Sequence, residues 1–487
     1  SYVPAVEVSR GCPFHCAYCV AGRDEFSHLN SFGIERIKDE LTFIAQKMKN
    51  YPYITLRICD NSFGMNKRDE EIAEHIRSLQ ENNLWPQSIY LTTGKDNYDR
   101  ILRISKTVNN KIPVTLSIQS MNKKTLEIIN RKNISMEKYY TVVSETKKLG
   151  IISIADLIVP LPAETQKTFF EAMEFLSNAG VDSINVNTTM LLNGTLLAQS
   201  ICRDTYGMGV KYRVMPNQFG DYKGEKCFEI EEVCVSTASM TFNEYLDCRG
   251  LAFVAFIFSR DQYDVIHKLL TEVGINRHSL LRVIFEEIQK GGSKLSEIYF
   301  EFIEETKNEL WNSKEAIVEH YKKNSNYENL LNGIVGDNLM RKYLAKVVIE
   351  KSVESIEMAY DGLLKLLGSS FKHEIEFIQA ARNWTISHRD IGEYFKDGIF
   401  DNKFKTLRIS HDVGLWYLKG PKSEPLANYK GETEYVVEAL DQENIMKMLK
   451  ETDKIFGSDK FKRNSHLIFD TYSFKKFWRN IKKTNDD

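Results

Sequence analysis

Cys12, Cys16 and Cys19 form a CxxxCxxC array within Glu7-Val-Ser-Arg-Gly-Cys-Pro-Phe-His-Cys-Ala-Tyr-Cys19, directly after a short apolar stretch. Soft thiolate ligands select iron–sulfur clusters or zinc. A [4Fe–4S] cluster usually takes four cysteines, so three leave one iron without a protein ligand. Such an iron can chelate the amino and carboxylate groups of a bound amino acid and pass one electron into an adjoining sulfonium, whose homolysis gives a carbon radical. The competing reading is a zinc site with His15 as fourth ligand. His15 neighbours Cys16, an awkward spacing for a tetrahedron, and structural zinc sites usually draw ligand pairs from separated segments. The other five cysteines, Cys59, Cys202, Cys227, Cys234 and Cys248, are scattered and read as buried free thiols. Eight cysteines are too sparse for a disulfide framework, which points to metal chemistry in a reducing compartment.

The elements that must position this loop follow from periodicity. Apolar strand-like stretches at Val3 to Val8, Ile54 to Cys59, Ser88 to Thr92, Val114 to Ile118, Ile151 to Val159 and Ser183 to Asn187 alternate with amphipathic segments such as Gly33 to Lys49 and Asp69 to Asn82. Repeated strand-then-helix units imply parallel pairing with right-handed crossovers, hence a partial or complete (β/α) barrel with its chemistry at the C-terminal ends of the strands. From Thr195 to Ser259 the pattern is mixed: Tyr206 to Tyr222 is rich in Gly, Pro and aromatic residues, and Phe228 to Ser236 reads as β. From Asp261 helical periods dominate, at Ser279 to Lys290, Ser296 to Asn312, Leu339 to Leu367 and Ile445 to Thr452, with a few strands between Ile399 and Val437. Three regions are expected: a barrel core over 1–195, a barrel-closing extension over 196–260 and a mainly α-helical domain over 261–487.

At 487 residues with 42% hydrophobic and 27% charged content, the chain can bury a sizeable core in two or three domains. Lys and Arg number 65 against 67 Asp and Glu, and the formal net charge of -2 calls for neither nucleic acid nor an anionic membrane. The longest strongly apolar run, Leu251 to Phe258, is far short of the ~18 residues of a membrane-spanning helix. The basic, aromatic-rich stretch Lys460 to Lys483 reads as a solvated helix face. A strand starting within a few residues of Ser1 suggests a chain whose upstream portion is missing.

The cysteine segment resembles the signature of the radical S-adenosylmethionine (radical SAM) superfamily, and its lead-in is similar to the subgroup usually found behind a cobalamin (B12)-binding domain. The resemblance implies an α/β fold, a TIM-like radical SAM barrel followed by a mainly helical C-terminal domain. It makes Cys12, Cys16 and Cys19 the cluster ligands and puts the backbone of Tyr18 against the adenine. Arg57-Ile-Cys-Asp-Asn-Ser-Phe-Gly-Met65 resembles the subgroup's "DxxFG" form, so Asp60 and Asn61 stand where the substrate methionine's ammonium is received. Asp60 reads equally as a cap of the next helix. Ser117-Ile-Gln-Ser120 followed by Leu126-Glu-Ile-Ile-Asn-Arg131 resembles an "SxQS…L…R" pattern, which implies Ser117 and Gln119 near the ribose and Arg131 near the methionine carboxylate.

Ile154-Ala-Asp-Leu-Ile-Val-Pro-Leu-Pro-Ala-Glu-Thr165 resembles the superfamily's "GLPGET" turn, but with Pro160 and Ala163 where glycines are usual. Ile158 is then expected against the adenine, with Glu164 and Thr165 starting the next helix. Asp156 faces either the cofactor or the barrel interior. Leu192-Asn-Gly-Thr195, Tyr212-Arg-Val-Met-Pro-Asn-Gln-Phe-Gly220 and Ser236-Thr-Ala-Ser-Met-Thr241 are similar to post-barrel features of the same subgroup.

The implied cofactors are a [4Fe–4S] cluster, S-adenosyl-L-methionine and cobalamin. The implied reaction is reductive cleavage of S-adenosylmethionine to a 5′-deoxyadenosyl radical that abstracts hydrogen from a substrate, in the service of cobalamin-dependent methylation. Radical rearrangement or cyclisation without cobalamin is the alternative within this chemistry, and a zinc-bearing scaffold that binds a partner without catalysis is the alternative outside it. An electron donor such as flavodoxin or ferredoxin and a cytoplasmic setting go with an oxygen-labile cluster. Substrate-side catalytic residues are not legible.

Overall fold

The computed structural model describes residues 3–51, 54–83, 85–368, 372–391, 405–438 and 474–484. The expected helix Ile445 to Thr452 and most of the stretch Lys460 to Lys483 lie outside the described residues. Two compact units form, one from Ser1–Lys211 with Glu231–Cys248, the other from Tyr212–Ile230 with Arg249–Asp487.

In the first unit, short apolar runs become strands whose flanking helices cover one face. The strands in chain order are β1 (Ala5–Val6), β2 (Ser9–Arg10), β3 (Asn30–Ser31), β4 (Leu56–Ile58), β5 (Ile89–Tyr90), β6 (Val114–Thr115), β7 (Ser153–Val159) and β8 (Ser183–Thr188). The helices are α1 (Ile34–Met48), α2 (Arg68–Asn83), α3 (Tyr98–Thr107), α4 (Lys123–Ile128), α5 (Met136–Leu149) and α6 (Gln166–Ala179). All six expected strands are present, paired in parallel as β1-β4-β5 and β6-β7-β8. At the seam between the two sheets the Thr115 amide donates to Thr93 Oγ1 at 2.9 Å. The architecture is therefore a partial (β/α) barrel.

Each helix buries a stripe at helical period. α1 buries Ile37, Leu41 and Ala45, which join Val6, Val8, Leu56, Ile58, Ile72 and Ile76 in one core cluster. Along β7 the alternation is strict: Ser153, Ala155, Leu157 and Val159 are buried, whereas Ile154, Asp156 and Ile158 on the opposite face are half-buried. That second face carries the polar groups described below.

After α7 (Ser200–Thr205), residues Gly209–Tyr222 form strand β9, paired with β10 (Glu225–Ser236). The stretch Tyr206 to Tyr222, mixed in pattern, thus contains a regular strand, and a two-stranded sheet leaves edges on which Pro216 needs no ladder donor. The apolar run Leu251 to Phe258 ends α8 (Phe242–Phe258).

In the second unit the expected segment Leu339 to Leu367 is two helices, Leu339–Glu350 and Ser352–Leu367, separated at Lys351. Elsewhere in this unit Phe253 of α8 and Phe302 of the helix Lys294–Asn308 stack with ring centroids 4.3 Å apart. An antiparallel sheet of Lys405–His411, Lys430–Glu438 and Asn480–Lys483 completes this unit. Among the described residues no helix is long and apolar enough to cross a membrane.

Candidate functional site

The cysteine loop leaves the C-terminal end of β1 and is closed at its base by the antiparallel pair β2 and β3. Gly11 turns the chain into it with φ +106°; a Cβ there would lie 2.1 Å from the His28 carbonyl oxygen, so no other residue fits without moving the backbone. The Cys12 amide donates to the Phe26 carbonyl at 2.8 Å and the Cys19 amide to the Cys16 carbonyl at 3.0 Å. Cys12 and Cys16 are buried, only 6% and 5% exposed, Cys19 is half-buried, and all three thiols are free. Two further bonds clip the loop from outside. The Ala17 amide donates to the Ile129 carbonyl at 3.0 Å, and the Leu197 amide donates to the Ala17 carbonyl at 2.9 Å.

His15 is exposed, with Nδ1 3.4 Å from Asp24 Oδ1. Among the described residues no three His, Cys, Asp or Glu side chains converge to hold a single metal ion. Of the scattered cysteines, Cys234 and Cys248 are buried as read from sequence, Cys202 is half-buried, and Cys59 and Cys227 are exposed.

Asp60, at the end of β4, is buried but already engaged. It accepts the Val8 amide at 2.8 Å and the Ser9 amide at 3.2 Å through Oδ1, and the Ser9 hydroxyl at 2.6 Å through Oδ2. Burial pushes its pKa upward against these bonds, which pull it down. Asn61 is exposed. In the first turn of α2, Asp69 Oδ2 accepts the amides of Gly64 at 2.7 Å and Asn66 at 3.2 Å from the turn that leads into the helix.

Arg131 ties the cysteine loop to the end of β6. Its guanidinium donates to the Ser117 carbonyl through Nη2, to Asn133 Oδ1 at 3.1 Å through Nε and to the Tyr18 hydroxyl at 3.5 Å through Nη1. Three donors are thereby committed, and the five N–H groups of a guanidinium leave two over. Burial drives the Tyr18 phenol pKa upward, opposed by the Arg131 charge. Ile158 packs in the same apolar cluster as Tyr18, with Ala17, Leu161 and Leu197.

Gln119 adopts a left-handed backbone, φ +64°, while its amide and carbonyl stay in register with Asp156 and Ile158 at 3.0 and 3.1 Å. Its side-chain Oε1 is buried and has no hydrogen-bond partner. Ser117 donates its hydroxyl to Asp156 Oδ2, and Asn185 donates to Asp156 Oδ1 at 3.1 Å. Asp156 therefore binds side chains of the barrel's inner face. In the following turn Ala163 also has a positive φ, +63°, where the resembling turn has glycine. Glu164 is buried and accepts the hydroxyls of Ser120 and Thr168, and burial raises its pKa.

Three participants escaped the sequence reading. Lys95, just past β5, places Nζ 3.2 Å from Cys16 Sγ. Asn133 donates to the carbonyls of Ile118 and Ser120, both at 3.0 Å, holding the rim on which Gln119 sits. Asn185 fixes Asp156 as described. The strand-end rule of such barrels could have marked Lys95, whereas Asn185 lies within β8 and nothing local distinguishes Asn133 from a loop asparagine.

The chain is 30% identical over 249 residues to the 2-(S-pantetheinyl)-carbapenam-3-carboxylate methyltransferase of Streptantibioticus cattleyicolor, covering 50% of this chain and 36% of that protein. It is 33% identical over 177 residues to the cobalamin-dependent radical SAM methyltransferase TokK of Streptomyces tokunonensis, covering 36% of this chain and 25% of that protein. The chain thus spans about a third or less of the length of these relatives. The solved structure of the radical S-adenosylmethionine methyltransferase TsrM from Kitasatospora setae is similar at a TM-score of 0.37 and 12% identity, over 43% of this chain and 41% of that one. Residues 6–192 match the Radical SAM superfamily profile, and this part of the chain is a radical SAM domain.

Proposed function

We propose that this chain carries the barrel of a radical SAM methyltransferase in which Cys12, Cys16 and Cys19 hold a [4Fe–4S] cluster and cobalamin serves as methyl carrier. The observation that carries the reading is the cysteine loop itself: three free thiols, two of them buried, clipped by backbone bonds to Ile129 and Leu197. A cubane binds its thiolates at separate corners, so the thiols need not converge on one point. The unpartnered, buried Oε1 of Gln119 fits a ligand hydroxyl at the barrel rim, because a buried acceptor left unmade is costly. When bound, the cluster and S-adenosylmethionine supply one-electron cleavage of the sulfonium.

The chain's own residues bind and orient. Arg131 holds Tyr18 and the Ser117 carbonyl in fixed relation, so the loop and the end of β6 present one continuous surface. Two of its N–H groups remain for a carboxylate. Asp60 fixes the entry to the loop through Val8 and Ser9, a positioning part that leaves a lone pair for the substrate ammonium. Methylation with cobalamin is supported by the names of the two relatives, one a carbapenam methyltransferase and the other described as cobalamin-dependent.

Anaerobic purification with metal and sulfide analysis tests the cluster. About four irons and four sulfides per chain, with a brown colour bleached by dithionite, are expected; one zinc and no sulfide would establish the scaffold reading instead. Cys16→Ala is expected to abolish formation of 5′-deoxyadenosine from S-adenosylmethionine. Cobalamin titration followed by absorbance, on a polypeptide that includes the residues upstream of Ser1, tests the methyl carrier; turnover of S-adenosylmethionine by that polypeptide without cobalamin binding favours rearrangement or cyclisation.

A further inference from the structure

We propose that Lys95 is a positioning residue for the cluster, its ammonium donating to the ligating sulfur of Cys16 and raising the cluster's reduction potential by a fixed positive charge. This rests on the cluster reading above.

The chain delivers Lys95 to this place by packing. Beyond β5, Thr93 bridges in parallel to Phe63, and the Gly94 amide donates to the Phe63 carbonyl at 2.9 Å. A Cβ on Gly94 would stand 2.1 Å from Met65 Cγ, so the glycine permits the close approach that brings the next residue over the cysteine loop. There the Lys95 ammonium lies 3.2 Å from Cys16 Sγ and 5.0 Å from the centroid of the Phe14 ring, a residue of the same loop. Lys95 is half-buried, and no carboxylate among the described residues pairs with it.

A lysine serving only solubility extends its ammonium into water. Here the charge is held between an aromatic face and a thiol sulfur, and both contacts favour a cation. Hydrogen bonds to cluster sulfurs and nearby net charge are among the determinants of cluster potential. The reduced cluster carries one more negative charge than the oxidised one, so a fixed cation stabilises it more. Removing the charge must shift the potential downward.

The test compares wild type with Lys95→Met and Lys95→Arg, loaded and purified anaerobically without S-adenosylmethionine. Iron and sulfide per chain are measured, and the midpoint potential is read by dye-mediated titration with electron paramagnetic resonance detection. Lys95→Met is expected to keep its cluster at a more negative midpoint, with Lys95→Arg closer to wild type. If Lys95→Met holds no iron while Lys95→Arg does, the charge at this position is again supported. Equal midpoints in wild type and Lys95→Met would overturn the proposal, as would loss of iron from both variants with native circular dichroism. A wild-type chain that binds no iron sinks the cluster reading itself, a result separate from either of these.

Discussion

The Asp60 carboxylate receives the Ser9 hydroxyl at 2.6 Å, across 51 positions of chain, and thereby anchors the strand end from which the cysteine loop departs. Replacing Asp60 with Ala would also strand the Val8 and Ser9 amides without their acceptor. An unfolding free energy lower by about 2 kcal/mol is expected from chemical denaturation, together with reduced iron retention. Unchanged stability with weakened S-adenosylmethionine binding would leave Asp60 with the ammonium-binding role alone.

Asp69 makes stability depend on pH. Burial is the main cause that pushes its pKa from 3.8 up to about 6, opposed by the amides of Gly64 and Asn66. In the unfolded chain the group ionises near its ordinary value, so between these two pH values the folded state binds more protons. The stability tied to Asp69 is therefore fully present below about pH 4 and lost as pH rises through about 6, by an amount on the order of 3 kcal/mol. Urea midpoints at acidic and neutral pH should show this loss in wild type and a flatter profile in Asp69→Asn; parallel profiles would refute it.

Arg131→Lys keeps the charge but cannot reproduce a planar fork that reaches Ser117, Asn133 and Tyr18 together. Stability should fall by about 2 kcal/mol, and S-adenosylmethionine affinity, measured by equilibrium dialysis, by about tenfold or more. A variant indistinguishable from wild type in both would reduce this buried guanidinium to a bystander.

Ala163 holds a left-handed backbone, which burdens an L-residue by roughly 1–2 kcal/mol. Glycine relieves this but loses more entropy on folding. Ala163→Gly should give a net gain of about 0.5 to 1 kcal/mol in equilibrium unfolding, with the Asn122 to Ala163 carbonyl bond at 2.8 Å retained. A loss of stability would show that the turn relaxes in solution.

Legibility in the sequence followed the range of the physics involved. The six barrel strands could be read because apolar runs and helical stripes are local signals, and the cysteine loop because its ligands are neighbours. β9 lies in a stretch of mixed pattern, and its Pro216 fits a strand only at a sheet edge, which residue types along the chain do not reveal. The orientation of Asp60 toward Ser9 and of Lys95 toward Cys16 depends on partners 51 and 79 positions away. No pattern of residue types along the chain specifies such pairings. Cys59 and Cys227 were read as buried because free cysteines usually are, and their exposure shows how little residue type alone says about depth.

The two clips on Ala17 bear on where this polypeptide can be cut. The superfamily match stops at residue 192, yet the Leu197 amide holds the Ala17 carbonyl, the Leu191 amide donates to the Glu232 carbonyl at 2.8 Å and the Cys234 amide to the Thr189 carbonyl at 2.8 Å. A fragment trimmed to the matched span would lose a splint of the loop and the pairing partner of its own last strand end. An excised piece that keeps both clips and this pairing must therefore reach at least Ser236, and the compact unit itself continues to Cys248.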